Sequence, residues 1–188
     1  MEIIRNFTKL SKEDVAIAGG KGASLGEMTQ AKIPVPEGFV ILSNTFEMFI
    51  KETRLDVEID SILHTVKNED INTVEEASEK IRALVLNKEM SKAIKNEIIN
   101  SFNQLGSRYV AVRSSATTED LAEASFAGQQ DTFLNVKGNK ELLKSVKDCF
   151  SSLFTARAIY YRQKKGFEHD KAYLAVVVQI MVDSEKSG

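Results

Sequence analysis

The chain has 188 residues, 43% hydrophobic and 28% charged, with a formal net charge of −2. At that length folding removes roughly 70% of the unfolded chain's surface from water, so one domain, or one domain plus part of another, can hold a stable core. The near-balanced charge argues against a broad basic face and a nucleic-acid partner, but leaves room for a small phosphorylated ligand held by a few placed cations. The single cysteine, Cys149, can form no internal disulfide, and no CxxC or Cys/His cluster offers zinc ligands; a buried, inert thiol is expected of it. The opening MEIIRNF reads as no export signal. The apolar stretch from 172 to 182 is interrupted by Gln179 and is too short for a bilayer, so a cytoplasmic location without membrane association is expected.

In chain order, Ser11 is placed to cap a short turn. Gly19 to Gly22 read as a flexible loop leading into a helix from Ala23 to about Ala31, which Pro34 and Pro36 break. Phe39 to Leu42 reads as a short buried strand, and Ser43 as the cap of a helix carrying Phe46, Phe49 and Ile50. Thr73 and Glu76 have capping-box spacing at the start of the apolar stripe Val74, Ala77, Ile81, Leu84 and Val85. Ile94, Ile98, Phe102 and Leu105 form a second stripe, ended by Gly106.

After Gly106 the pattern turns to strands. Tyr109 to Val112 reads as one, with Arg113 at its end, and Thr132 to Val136 as another. A long helix through Leu142, Val146, Cys149 and Leu153 runs towards Tyr161, and the valine-rich run from Ala172 to Val182 reads as a buried strand. This order predicts an α+β fold, a helix-rich first half followed by a mixed sheet with helices. Residues 1–105 form the helix-rich part and 106–188 the strand-containing part. Too few other strands are visible to flank the final one, so a chain continuing past Gly188 is expected, which the mass of the natural protein tests.

Four segments could carry chemistry. In GGKGASLGEM, residues 19 to 28, three glycines around Lys21 let backbone N–H groups approach an anion, at the positive end of the helix that follows. The spacing is neither a Walker A loop, which needs Ser or Thr where Gly22 stands, nor the dinucleotide GxGxxG. The other reading is a flexible loop with a solvated lysine. In VAVRSSATTEDL, residues 110 to 121, Arg113 can bind phosphate in a two-pronged way, and Ser114, Ser115, Thr117 and Thr118 offer hydroxyl donors. Alternatively the hydroxyls cap a helix and Arg113 pairs with Glu119 or Asp120. ASFAGQQDTF, residues 124 to 133, reads as a tight loop in which Gly128 allows close backbone approach and Thr132 donates a hydroxyl, or as an ordinary hairpin. Gln179, alone among valines, needs partners if buried, from a ligand's polar edge or from neighbouring backbone. His64 and His169 stand beside no nucleophile and are expected to be solvated. No carboxylate pair near these loops has metal-ligand spacing, although phosphoryl transfer ordinarily needs a metal to neutralise the transferring group.

Taken together, GGKGASLGEM, IPVPEGFVI, VAVRSSATTEDL, ASFAGQQDTFLNV and SLFTARAIYYRQKKGF closely resemble the N-terminal nucleotide-binding region of phosphoenolpyruvate synthases, shared by pyruvate phosphate dikinases and rifampicin phosphotransferases. The resemblance covers nearly the whole chain in order and is least diagnostic between about Leu55 and Asn100. It implies an incomplete ATP-grasp-type nucleotide-binding domain. Lys21 and Arg113 would contact the ATP phosphates, Gly128 and Thr132 would belong to the loop covering them, and Gln179 would sit nearer the nucleoside. In such enzymes a histidine on a separate swivelling domain carries a phosphoryl group from ATP to pyruvate, or to rifampicin, on another domain. Neither histidine here has that context. The resemblance places Mg2+ ligands beyond residue 188 and no catalytic residue in this chain, which is therefore expected to be inactive alone. The synthase, with ATP and pyruvate as substrates, is favoured over the rifampicin phosphotransferase and the dikinase. A stand-alone nucleotide-binding module is the non-enzyme alternative, and a helical scaffold with merely flexible glycine loops is a third.

Overall fold

In the computed structural model of the protein, the described residues are 2–67, 70–117, 131–167, 169 and 172–182. The β-branched and apolar runs become the strands, as residues that pack well on a pleated surface do. They are Ile4–Asn6 (β1), Gly38–Ile41 (β2), Val110–Ala116 (β3), Thr132–Val136 (β4) and Leu174–Ile180 (β5). The sheet order is β1-β2-β5-β3-β4, and every pairing among these strands is antiparallel. A mixed sheet was the expectation. β2 and β3 do run in the same direction, but β5 inserts between them, antiparallel to both. β5 is thus flanked on both sides by strands of this chain, contrary to the expectation that its neighbours were missing. Two of the five strands also come from the part expected to be helix-rich.

Antiparallel register gives the sheet two distinct faces, because directly opposed residues share a face and successive ones alternate. One face presents Phe39, Ile41, Val110, Val112, Val176 and Val178 to the larger core. Against it pack Ser43–Glu52 (α2), Leu55–Leu63 (α3), Ile71–Asn87 (α4), Lys92–Gln104 (α5), Gly138–Ser152 (α6) and Ala156–Lys165 (α7). Phe46 and Phe49 of α2 meet Phe150 of α6 with ring centroids 5.1 and 5.8 Å apart, at the heart of this core. The apolar stripes read from the sequence supply its buried side chains, each contributing about 1.5–3 kcal/mol on burial.

Among the described residues, the helix Val15–Gln30 (α1) covers the other face through Ala18 and Leu25, which join Phe7, Leu10, Val40, Leu42, Ala175 and Val177 in a second core. α1 lies close because its contact residues are small. A Cβ on Gly22 would stand 3.0 Å from Val40 Cγ2, and one on Gly26 2.6 Å from the Leu10 carbonyl oxygen.

Several local expectations are corrected. Gly20, Lys21 and Gly22 are helical rather than a loop; only Gly19, with φ 69° and ψ 169°, breaks α1. Ser43 is the first residue of α2 and its hydroxyl donates to the Ala16 carbonyl instead of capping. α4 starts earlier than the capping-box spacing indicates. Asp70 caps it by accepting from the Asn72 N–H at 3.1 Å, while Thr73 donates back to the Asp70 carbonyl at 2.7 Å. The long helix towards Tyr161 is two helices, since Thr155 opens α7 by accepting from the Ala158 N–H. Arg113 stands in the middle of β3, not at its end.

Candidate functional site

The register fixes where the candidate residues stand. In β3, Arg113 lies directly opposite Thr132 of β4 and Val177 of β5. Gln179 is opposite Ala111 on one side and Gly38 on the other. Val177 packs in the core beneath α1, so Arg113, Thr132 and Gln179 all belong to the face that α1 covers. Opposed side chains in such pairs are about 5 Å apart at Cβ, which sets Thr132 beside Arg113.

Lys21 reaches the same place from α1. Its Nζ donates to the Ser114 carbonyl at 3.0 Å, so the ammonium is anchored on β3 rather than mobile. Burial, and next the neighbouring Arg113 cation, hold Lys21 below its ordinary pKa of 10.5. Arg113 Nε is buried and has no hydrogen-bond partner among the described residues. A buried donor left without a partner costs about 1–3 kcal/mol. Two cations are therefore held together at a cost, and an anion seated between them would relieve both the repulsion and the orphaned donor.

The hydroxyls expected at a phosphate are used otherwise. Ser115 Oγ donates to the Ala18 carbonyl at 2.9 Å and accepts from the Gly22 N–H at 3.3 Å. Thr117 Oγ1 donates to the Tyr173 carbonyl at 2.9 Å. Ser114 alternates with Arg113 and so points its side chain to the opposite face. Of the glycines around Lys21, only Gly20 faces open space; Gly19 is pressed against Ser115 and Gly22 against Val40. Gln179 Nε2 donates to the Pro36 carbonyl at 3.2 Å, so backbone meets its amide donor. Gly128, Thr118, Glu119 and Asp120 lie outside the described residues.

The histidines are apart from this site. His64 is exposed at the end of α3, with Nδ1 2.8 Å from the Asp60 carbonyl. His169 is not the solvated residue expected, because its Nδ1 accepts from Arg162 Nε at 3.0 Å. Arg162 itself carries no warning in the sequence beyond its helical spacing with Ala158 and Ile159. It is only 2% exposed, donates to the Leu153 carbonyl at 2.7 Å and lies 5.9 Å from the Phe154 ring centroid. Burial pushes its pKa down to about 10. Cys149 is fully buried and burial raises its pKa, so it is an inert thiol at neutral pH. A recess of about 1060 Å³ between α2, α3 and α7 is lined by Phe46, Ile59, Phe154 and Tyr173, and by none of the candidate residues. Among the described residues no three His, Cys, Asp or Glu side chains converge as a metal site. No helix among them is long and apolar enough to cross a membrane.

Five antiparallel strands with helices packed against both faces define an α+β domain. Residues 15–188 match the family described as pyruvate phosphate dikinase, AMP/ATP-binding domain, and the chain belongs to that family. Among curated relatives, it is 50% identical over 97% of its length to a probable phosphoenolpyruvate synthase of Methanothermobacter thermautotrophicus, of which it covers 28%. A probable phosphoenolpyruvate synthase of Methanocaldococcus jannaschii is 50% identical over the whole chain, which covers 16% of it. The phosphoenolpyruvate synthase of Pyrococcus furiosus is 41% identical over 98% of the chain, which covers 27% of it. The chain thus spans between 16% and 28% of the length of these relatives.

Proposed function

We propose that this chain holds ATP for a phosphotransferase, with Lys21 and Arg113 on the phosphates. The observation that carries the reading is the half-buried Lys21 beside Arg113, whose Nε is buried with no hydrogen-bond partner among the described residues. Electrostatic attraction at such a site is worth more than in water, because the groups are partly desolvated before the ligand arrives. Arg113, fixed by the strands on either side, supplies a two-pronged donor. Lys21 retains two further ammonium hydrogens beyond the one on the Ser114 carbonyl. Thr132, opposite Arg113, supplies a hydroxyl, and Gln179 lies two strand positions along, towards the nucleoside; Gly128 would close over the phosphates.

The names of the relatives support a specific reaction. In it, ATP, pyruvate and water yield phosphoenolpyruvate, AMP and phosphate through a phosphohistidine on a swivelling domain that is not part of residues 1–188. The ATP-grasp arrangement, the division at about residue 105, the Mg2+ ligands elsewhere and a cytoplasmic setting belong to the same reading. Lys21 and Arg113 hold and orient the donor; they neither accept nor transfer the phosphoryl group. The test is AMP formation by the full natural chain with ATP and either pyruvate or rifampicin as acceptor. Pyruvate-dependent AMP that falls about 100-fold or more in Arg113→Ala is expected, the scale of losing a charged contact that positions a transferring group. AMP formation that needs rifampicin instead would overturn the acceptor. A rate unchanged in Arg113→Ala would overturn the site.

A further inference from the structure

An unbroken helix would join the Gly22 N–H to the Ala18 carbonyl, four residues earlier. In α1 the left-handed φ of Gly19 interrupts this turn, and a hydroxyl from another strand stands between the two groups. Ser115 Oγ donates to the Ala18 carbonyl at 2.9 Å and accepts from the Gly22 N–H at 3.3 Å. Side chains inserted into the helical ladder in this way are a recognised cause of kinks. The fit leaves no slack: a Cβ on Gly19 would lie 2.5 Å from the Ser115 carbonyl oxygen. Ser115 itself is fully buried.

The segment that the hydroxyl spans contains Lys21. Its ammonium lands on the carbonyl of Ser114, next in sequence to Ser115 and to Arg113. We infer that Ser115 is a positioning residue that sets the break in α1 and thereby holds Lys21 beside Arg113. This rests on the reading that Lys21 meets the phosphates. Without the hydroxyl, the Ala18 carbonyl and Gly22 N–H each lose a buried partner. Re-forming the regular turn would restore both bonds, but would swing Lys21 away from Ser114. The role therefore runs through Lys21 and not through contact with the ligand.

A double-mutant cycle tests it, with calorimetric binding of the non-hydrolysable analogue AMP-PNP to the full natural chain and its Ser115→Ala, Lys21→Ala and doubly substituted forms. Binding to the unsubstituted chain, about tenfold weaker in Ser115→Ala, is expected, the scale of one or two lost hydrogen bonds. Lys21→Ala weakens binding at least as much, and the double variant is no weaker than Lys21→Ala alone. A merely structural serine would not give that equality, because its effect would add to the loss of the lysine. Full additivity, or unaltered affinity in Ser115→Ala while Lys21→Ala is weakened, overturns the positioning role and leaves the phosphate reading standing. No binding to the unsubstituted chain overturns that reading and the inference with it. Ser115→Cys keeps the volume with only a weak donor and serves if the alanine variant does not fold. Failure of both to fold would assign Ser115 to the core and overturn the inference.

Discussion

Lys21 lies half-buried with its ammonium on the Ser114 carbonyl, beside the Arg113 cation. Its lowered pKa means that the folded chain disfavours the ammonium relative to the unfolded chain. That penalty is fully present below the folded pKa. It fades as pH rises past the folded value and is gone only well above 10.5, where the lysine is neutral in both states. Lys21→Met should therefore melt at the same or a higher temperature at pH 7 while losing nucleotide affinity. The stability difference from wild type should shrink as pH approaches the lysine's ordinary value. Thermal denaturation across pH checks this, and a variant less stable than wild type at pH 7 would contradict it. Arg162 is the opposite case, a buried cation that the fold uses. Its burial cost is present at all pH values below about 10 and is relieved only above it. Replacing it with alanine removes the bonds to Leu153 and His169 and the packing on Phe154. Unfolding in urea should show a loss of about 2–4 kcal/mol, with the buried carbonyl left unpaired. The sequence exposes Lys21 and Arg113 because full charges among small residues stand out. It hides Ser115 and the bond from Gln179 to Pro36, which join residues 97 and 143 positions apart.

At the scale of elements, α1 converts glycines into geometry. Gly19→Ala would place a Cβ at positive φ and against the Ser115 backbone, costing about 2–5 kcal/mol from strain and overpacking together. Gly20 is helical and faces open space, so Gly20→Ala should stabilise by about 0.5–1 kcal/mol. Chemical denaturation of the two variants distinguishes this helical turn from a flexible glycine loop, for which both changes would be nearly neutral. The helices were legible where apolar spacing was long and regular, as in α4 and α5. Boundaries differ from the sequence pattern where local chemistry competes: Asp70 caps ahead of Thr73, and Thr155 starts a new helix inside what reads as one. β4 was read to the residue. β3 was cut short because Ser114, Ser115 and Ala116 do not look like strand residues; pairing with Leu174 to Val176 of β5 carries them into the sheet.

For the molecule as a whole, the sheet order decides the site. β5 slots between β2 and β3, so residues from both ends of the chain meet on the face under α1. No local pattern specifies that insertion, since its pairings span most of the chain; the α+β class was readable but the strand order was not. The resemblance carried by the five motifs agrees with the family to which the chain belongs, and its relatives are several times longer. Residues 1–188 alone should show no pyruvate-dependent AMP formation, which an assay of that segment checks directly. Calorimetric titration of ATP into the full natural chain and its Arg113→Ala variant tests the Lys21–Arg113 pair as a nucleotide-phosphate site. Saturable binding is expected that weakens about 10- to 100-fold in the variant, the range for a lost charged hydrogen-bonding group, with melting temperatures within a few degrees. Equal affinity in a folded Arg113→Ala variant would contradict it.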